Sequence, residues 1–286
     1  TTEDGCSIEE ALSASMMATD PALTWKGLSM IRALRSRRVP VRNGARLLAV
    51  EAGAQAGGAL VASVEVAGRR VERVEVDALC MNAGFEPQNE ILRLLGAAMT
   101  YDPAFGHLRC DRSKQLETSV QGVFAVGDCA GMGGAPAACA EGRIAGRTAA
   151  AIAGYGGTDG NETDQRDLAR HRRFQRALWQ LHDVSPRAVS AVDPATILCR
   201  CEEVTVGEAL DAQSKIPGHA GTLKRATRVG MGRCQGRYCG PAAARMVAES
   251  SGEALTDRSF FAPRVPIKPV SIAAIMAAQE ALDASD

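Results

Sequence analysis

The sequence predicts an α/β protein that continues into a small, mainly helical domain, and two features indicate this. An apolar run from Val123 to Val126 ends at Gly127-Asp128 and is followed by a glycine-rich turn and a segment of small residues. This order predicts a buried parallel strand that leads into a helix, with a ligand at the carboxyl end of the strand. Farther along the chain, two pairs of cysteines lie in predicted loops, which indicates a metal centre in a separate domain.

The cysteines are arranged as Cys199-x-Cys201 and, after 32 further residues, Cys234-x4-Cys239. A four-thiolate centre needs two short-range pairs and a folded segment that brings the pairs together. Glycines around the second pair allow a tight backbone whose amides point at sulfur. Pro241 predicts the start of a helix, and the dipole of that helix would favour the Cys239 thiolate. We therefore predict that these four cysteines bind one metal centre.

Charge bears on which metal the cysteines bind. Between residues 199 and 240, seven Lys and Arg residues outnumber four Asp and Glu residues. A [2Fe-2S] core held by four thiolates is a dianion that gains a further negative charge on reduction, so basic surroundings stabilise it. Structural zinc with four cysteines has the same formal charge and stays open as an alternative. A third alternative is a set of ordinary buried core cysteines.

The residues around the cysteines also carry a family resemblance. The runs Cys199-Arg-Cys201-Glu-Glu-Val-Thr and Gly230-Met-Gly-Arg-Cys234-Gln-Gly-Arg-Tyr-Cys239-Gly-Pro resemble the [2Fe-2S]-binding domain related to bacterioferritin-associated ferredoxin. The free-standing ferredoxin has two residues between its second pair of cysteines, whereas this chain has four. The longer spacing resembles the variant fused to flavoprotein subunits of opine oxidases, hydrogen cyanide synthase and dye-linked amino-acid dehydrogenases. Residues 264–272 are similar to the tail of that family.

The strand–Gly–Asp–helix unit resembles the second flavin-binding motif of two-dinucleotide-binding-domain flavoproteins of the glutathione reductase type. By this resemblance Asp128, which follows Gly127, would hydrogen-bond the ribityl chain of FAD. Gly134, Ala135 and Pro136 would face the pyrimidine edge of the flavin. Amides at the N-terminus of the following helix can stabilise negative charge on a reduced flavin ring.

The resemblance implies a partial glutathione reductase-like flavoprotein followed by a small helical [2Fe-2S]-binding domain. Residues 74–87 resemble the strand and Gly-x-x-Pro turn by which such proteins return from the nicotinamide-type domain to the flavin domain. The domains implied are 1–90 for the remainder of the middle domain, 91–157 for the closing segment of the FAD-binding domain, 158–190 for a helical linker, 191–252 for the [2Fe-2S]-binding domain and 253–286 for a C-terminal tail and helix.

The sequence contains no Gly-x-Gly-x-x-Gly for the FAD pyrophosphate and does not begin with Met. We therefore expect this sequence to be the carboxyl-terminal part of a longer protein. The alternative is that another chain supplies the remaining half. On either expectation the FAD site is incomplete in this chain.

Local patterns predict further elements. Residues 24–38 have an amphipathic helical pattern, and residues 164–181 form a charged helix. Thr205 and Glu208 have the spacing of a capping box that opens a short helix. The predicted strands cover residues 39–41, 46–50, 59–66 and 70–76.

Composition excludes several classes of function. A net charge of +0 and a pI near 6.8 give no reason to expect nucleic acid or an anionic membrane as a partner. No run of residues is long and apolar enough to predict a membrane span. Nine cysteines, an odd number, do not resemble a secreted disulfide framework, so a cytoplasmic location is expected. Cys129 and Cys139 form no Cys-x-x-Cys pair, and Cys6, Cys80 and Cys110 are predicted to be structural.

These observations predict an electron-transfer flavoprotein subunit, with FAD and a [2Fe-2S] cluster, of a heteromeric amino-acid or opine-type dehydrogenase or oxidase. A partner subunit with its own flavin would oxidise the substrate, and the electrons would pass to an acceptor. The alternatives are an NAD(P)H-dependent flavin reductase and a non-catalytic module with a structural four-cysteine zinc site. The sequence indicates no catalytic residue.

Overall fold

The computed structural model describes residues 15–16, 18–42, 44–53, 59–66, 70–82, 84–181 and 188–284. Cys6 lies outside these described residues. The chain divides into two compact units. One unit comprises Met16–Phe85, and the other combines Thr1–Ser15 with Glu86–Asp286.

The unit Met16–Phe85 contains one well-formed helix and an antiparallel sheet. Helix α1 (Pro21–Ser36) begins after Asp20, whose carboxylate accepts a hydrogen bond from the Leu23 amide at 3.1 Å, and this confirms the predicted amphipathic helix. The sheet has the order β1-β2-β3 and consists of Ala45–Ala52, Leu60–Val66 and Arg70–Val76.

Three of the four predicted strands therefore form, and the fourth does not. Residues 39–41 contain no strand, because the chain leaving α1 turns at Arg37 and Arg38 and pairs with the sheet only from Ala45 onward. A backbone φ of 54° at Arg38 marks this turn.

The first part of the larger unit packs two long helices beside a small hairpin. Its elements are α2 (Glu90–Leu94), β4 (Met99–Asp102), β5 (His107–Cys110), a 3₁₀ turn (Gly127–Ala130), α3 (Gly134–Ile152) and α4 (Asn161–Leu181). Small residues on α3, among them the buried Ala137 and Ala140, pack with Ile144 and with Leu168 of α4. The helix α4 confirms the predicted charged helix.

The apolar run from Val123 to Val126 differs from its prediction. It was expected to form a buried parallel strand, but in the described residues it makes only one antiparallel bridge, between Glu117 and Phe124. Val126 has the extended conformation of a strand, with φ −136° and ψ 149°. The run stays outside a sheet because no described strand lies parallel to it, and every strand ladder described is antiparallel.

The remainder of the larger unit, called the C-terminal region below, is built mainly from short strands and helices. These are β6 (Ile197–Cys199), β7 (Val204–Thr205), α5 (Val206–Lys215), α6 (Ala220–Thr227), α7 (Gly240–Ser251) and α8 (Ile272–Asp283). Its core contains Val206, Leu223, Val229 and Met246.

Both predicted helix starts in the C-terminal region are confirmed. Thr205 Oγ1 accepts a hydrogen bond from the Glu208 amide at 3.2 Å, and Glu208 Oε2 accepts one from the Thr205 amide at 2.8 Å, which is the predicted capping box. Pro241 stands in the first turn of α7. In the described part of the chain, no helix is both long enough and apolar enough to cross a bilayer.

Candidate functional site

The four predicted ligand cysteines lie on two segments of the C-terminal region. Cys199 is the last residue of β6, and Cys201 lies in the turn between β6 and β7. Cys234 and Cys239 lie in residues 230–240, called the cysteine loop below, and Cys239 is the N-cap residue of α7. Cys199 and Cys239 are 1% and 3% exposed, whereas Cys201 and Cys234 are half-buried.

The thiols interact in two pairs, and each pair joins the two segments. The Cys201 side chain hydrogen-bonds to Cys234, and that of Cys199 interacts in the same way with Cys239. The sequence suggested that each short-range pair would act together, whereas the structure pairs one cysteine from each segment. Among the residues described, no group of three or more His, Cys, Asp or Glu side chains could hold a metal ion as placed. Cys239 also interacts with Cys234, so the four thiols lie near one another.

Close approach of the two segments depends on Gly232. A Cβ at this position would lie 2.2 Å from Cys201 Cβ and 3.2 Å from Glu202 Oε1. Real Cβ atoms do not approach other carbon atoms so closely, so only glycine allows the cysteine loop to contact the β6–β7 turn. The sequence indicated that glycines here shape the backbone, but it did not indicate this contact between segments.

The surroundings of Cys234 favour its thiolate. Burial raises the pKa of this thiol, but hydrogen bonds from Cys201 and from the backbone amides of Tyr238, Gly236 and Arg237 outweigh burial and lower the pKa below its usual value. The expectation that amides in this loop point at sulfur is therefore met at Cys234.

Cys239 behaves differently from its prediction. Burial, together with the neighbouring Cys199 and Cys234, raises the pKa of Cys239 to about 12. The dipole of α7 was expected to favour the thiolate, but burial beside two other thiols dominates. A cation bound by these sulfurs would reverse the balance, because metal-bound thiols are deprotonated.

The predicted flavin-binding residues lie together at the start of α3. Gly127 has a φ of 71° in the 3₁₀ turn, and the Asp128 carboxylate accepts a hydrogen bond from the amide of Gly133 at 3.4 Å. Gly134 begins α3, and Ala135 and Pro136 occupy its first turn. Asp128, Ala135 and Pro136 are at least partly exposed, so a ligand can reach all three.

An ion-pair network that the sequence reasoning did not find supports this turn. Glu141 of α3 is 4% exposed, and its Oε2 accepts hydrogen bonds from the Gly127 amide at 2.7 Å and from Arg112 Nη1 at 2.9 Å. Its Oε1 accepts a hydrogen bond from Arg172 Nη2 at 2.8 Å. Burial opposes ionisation of Glu141, but these hydrogen bonds, led by Arg112, hold its pKa below the usual value. The available signal was an acidic residue among alanines and glycines on the buried face of a helix.

A second buried side chain contacts the loop before α3. His107 of β5 is 0% exposed, and its Nε2 accepts a hydrogen bond from the Met132 amide at 3.4 Å. Burial, and then the charge of Arg109, lower the pKa of His107 to about 4. This imidazole is therefore neutral near neutral pH and packs within the fold.

Two protein-family models match the larger part of the chain. Residues 8–142 match the pyridine nucleotide-disulphide oxidoreductase family. Residues 200–279 match the sarcosine oxidase A3 domain. The first range includes the Gly127-Asp128 turn and the start of α3, and the second includes three of the four cysteines.

Two curated proteins and one solved structure are also similar to this chain. The chain is 31% identical to an opine oxidase subunit of Rhizobium meliloti, over 91% of this chain and 56% of that protein. It is 28% identical to the hydrogen cyanide synthase subunit HcnB of Pseudomonas aeruginosa, over 89% of this chain and 56% of that protein. The solved structure of L-proline dehydrogenase from P. horikoshii superposes with a TM-score of 0.65 at 18% identity, over 87% of this chain and 48% of that one.

These findings support an FAD-dependent oxidoreductase with the α/β fold of flavoprotein dehydrogenases. The family match to residues 8–142 also supports FAD binding. The chain spans about half the length of the curated relatives that it matches.

Proposed function

We propose that this chain is the electron-transfer subunit, carrying FAD and a [2Fe-2S] cluster, of a heteromeric amino-acid or opine-type dehydrogenase or oxidase. Two of its relatives, from opine oxidase and from hydrogen cyanide synthase, are named as subunits, which supports a hetero-oligomer. The partner would be a catalytic subunit with its own flavin that oxidises the substrate.

The observation that carries the cluster assignment is the meeting of four thiols from two segments. A [2Fe-2S] core takes two thiolates on each iron, and the pairs Cys199/Cys239 and Cys201/Cys234 fit that requirement. A structural zinc ion held by the same four cysteines is the alternative. The amides directed at Cys234 would also stabilise negative charge on a cluster sulfur.

The flavin part of the proposal rests on the turn before α3. Asp128 would bind the ribityl chain, and Gly127, Gly134, Ala135 and Pro136 would line the flavin beside the α3 N-terminus, whose amides favour a negative charge. When bound, FAD supplies two-electron chemistry and the cluster a one-electron step, which together let electrons leave singly.

Metal analysis tests the cluster directly. Protein purified without oxygen should contain about two iron and two acid-labile sulfide per chain and should show charge-transfer absorption in the visible range. Stoichiometric zinc without iron or sulfide would contradict the cluster assignment.

Cysteine variants test the ligand set. Cys199→Ser, Cys201→Ser, Cys234→Ser and Cys239→Ser should each lose most of the iron, because three thiolates seldom retain the cluster. Cys110→Ser is the matched buried control, since Cys110 is 6% exposed and lies in a different core, and it should keep its iron. Full iron content in the Cys234 or Cys239 variant would remove the second pair from the ligand set.

Asp128→Ala tests the flavin site in the native FAD-loaded protein. The variant should bind FAD more weakly by roughly 1–3 kcal/mol, because a ribityl hydroxyl would lose its buried partner. Asp159→Ala, an exposed aspartate in the loop between α3 and α4, is the control and should leave FAD content unchanged. Equal FAD retention in both variants would remove Asp128 from the site.

A further inference from the structure

The cysteine loop packs around the ring of Phe261, and we propose that Phe261 is a positioning residue that holds this loop in its metal-binding geometry. The proposal rests on the cluster assigned above. It extends that assignment to a residue outside the ligand set, 22 positions after Cys239 in the chain.

The ring occupies space that three glycines leave open. A Cβ on Gly230 would lie 2.5 Å from Phe261 Cε2, and a Cβ on Gly236 would lie 2.6 Å from Phe261 Cδ2. A Cβ on Gly240 would lie 3.5 Å from the same Cδ2 atom. These glycines stand before, between and after Cys234 and Cys239. The path of the loop around both cysteines is therefore shaped by contact with one aromatic ring.

Other contacts fix the ring and its backbone. Lys224 Nζ of α6 lies 5.3 Å from the centroid of the Phe261 ring, within the range of a cation–π interaction. The carbonyl oxygen of Phe261 accepts a hydrogen bond from Arg93 Nη2 at 2.5 Å. Arg93 belongs to α2, so Phe261 joins the cysteine loop to the segment that precedes the β4–β5 hairpin.

The cysteine loop makes a second connection to the same elements. Arg237 Nε donates to Glu90 Oε1 of α2 at 2.8 Å, and its Nη2 donates to the Ile267 carbonyl at 3.1 Å. Arg237 and its carboxylate partner are both mostly buried, with side chains 16% and 22% exposed. The loop between the two ligand cysteines is thus held by α2 and by residues 261–267 together.

The neighbouring aromatic residue provides a matched control. Phe260 contacts Tyr101 of β4, with 6.0 Å between ring centroids, and the glycines of the cysteine loop contact Phe261 instead. Truncating either residue removes the same side chain from a half-buried position. Only truncation of Phe261 removes the packing surface of the loop.

The test compares the stability of the cluster in Phe261→Ala and Phe260→Ala, prepared in the full protein. In Phe261→Ala the visible absorption of the cluster should decay in air at least about tenfold faster than in wild type, because local opening of the loop costs less free energy. The electron paramagnetic resonance spectrum of the reduced cluster should also change, while FAD content stays the same. Phe260→Ala should match wild type in decay rate and spectrum. Phe261→Leu, which keeps an apolar side chain, should lie between wild type and Phe261→Ala and gives a readout if the alanine variant does not fold.

A double-mutant cycle tests the contact itself. Gly236→Ala alone should accelerate cluster loss strongly, because the new Cβ meets the Phe261 ring and the residue has a φ of 80°. In the Phe261→Ala background the same substitution should have a smaller effect, since only the backbone strain remains. If the wild type contains iron, either of two results would overturn the positioning role: additive effects of Gly236→Ala and Phe261→Ala on cluster decay, or equal decay rates in Phe261→Ala and Phe260→Ala. Neither result would contradict the proposed function. An iron-free wild type would refute the proposed function, and this inference with it.

Discussion

At the scale of single residues, the proposed cluster site depends on the absence of a side chain at residue 232. The β6–β7 turn and the cysteine loop touch at Gly232, where a Cβ would lie 2.2 Å from Cys201 Cβ. Cys199 and Cys239, one on each segment, are buried, which limits how far either backbone can move. The distance between the two cysteine segments is therefore set by the size of residue 232.

We expect Gly232→Ala to separate the two segments and to lose most of the bound iron. The added methyl group overpacks the contact, which costs about 1–3 kcal/mol and moves Cys201 away from Cys234. Gly142→Ala in α3 is the control, because no described atom lies within 4 Å of a Cβ there and alanine favours a helix. The test is the iron content per chain, measured in both variants. Equal iron content in both would show that the two cysteine segments do not need this close approach.

The sequence predicts the residues of this site better than their roles. Spacing and glycine content correctly indicated that Cys201, Cys234 and Cys239 lie in loops, whereas Cys199 is the last residue of β6. They did not indicate that thiols pair across the loops, or that burial raises the pKa of Cys239. Spacing reports which residues are close along the chain, whereas pairing and burial depend on how two distant loops pack.

At the scale of elements, helix α3 begins at the predicted flavin-binding residues and also carries the carboxylate that supports the turn before it. Its first turn was predicted from glycines and small residues, and the structure places Gly134 to Pro136 there. Glu141, in its second turn, accepts a hydrogen bond from the Gly127 amide and so fixes the turn that contains Asp128. The sequence did not predict this because Arg112 and Arg172, the partners that keep Glu141 charged, lie 29 and 31 positions away.

We expect Glu141→Gln to destabilise the protein by about 3 kcal/mol, because Arg112 would remain buried without its counter-charge. The Gly127 turn would also lose part of its support, so FAD retention should fall together with stability. Asp211→Asn is the control, since its pair with Lys215 is exposed and contributes only about 0.3–0.5 kcal/mol. Urea unfolding at pH 7 measures both variants, and equal losses of stability would show that the Glu141 network contributes no more than a surface pair.

At the scale of the whole molecule, two buried groups make stability depend on pH in the same direction. The folded protein lowers the pKa of His107 from 6.5 to about 4 and lowers the pKa of Glu141 below 4.5. In each case the unfolded chain binds a proton at a pH where the folded protein does not. These two groups therefore lower the free energy of unfolding as the pH falls, first His107 and then Glu141, whereas Glu86, whose pKa burial raises to about 7, increases it as the pH falls from about 7 to 4.5.

These two contributions occupy different pH windows, which allows them to be separated. The His107 contribution is fully present above pH 6.5 and is lost between pH 6.5 and about 4, whereas the Glu141 contribution is lost only below pH 4.5. His107→Asn keeps an acceptor for the Met132 amide but cannot be protonated, so its unfolding free energy should rise relative to that of wild type as the pH falls from 6.5 to 5. Glu141→Gln should show the wild-type slope in that window and a flatter curve below pH 4.5. Urea unfolding at half-unit steps of pH gives both curves, and each variant is the control for the other. A His107→Asn curve parallel to wild type between pH 6.5 and 5 would show that this imidazole is not held neutral by the fold.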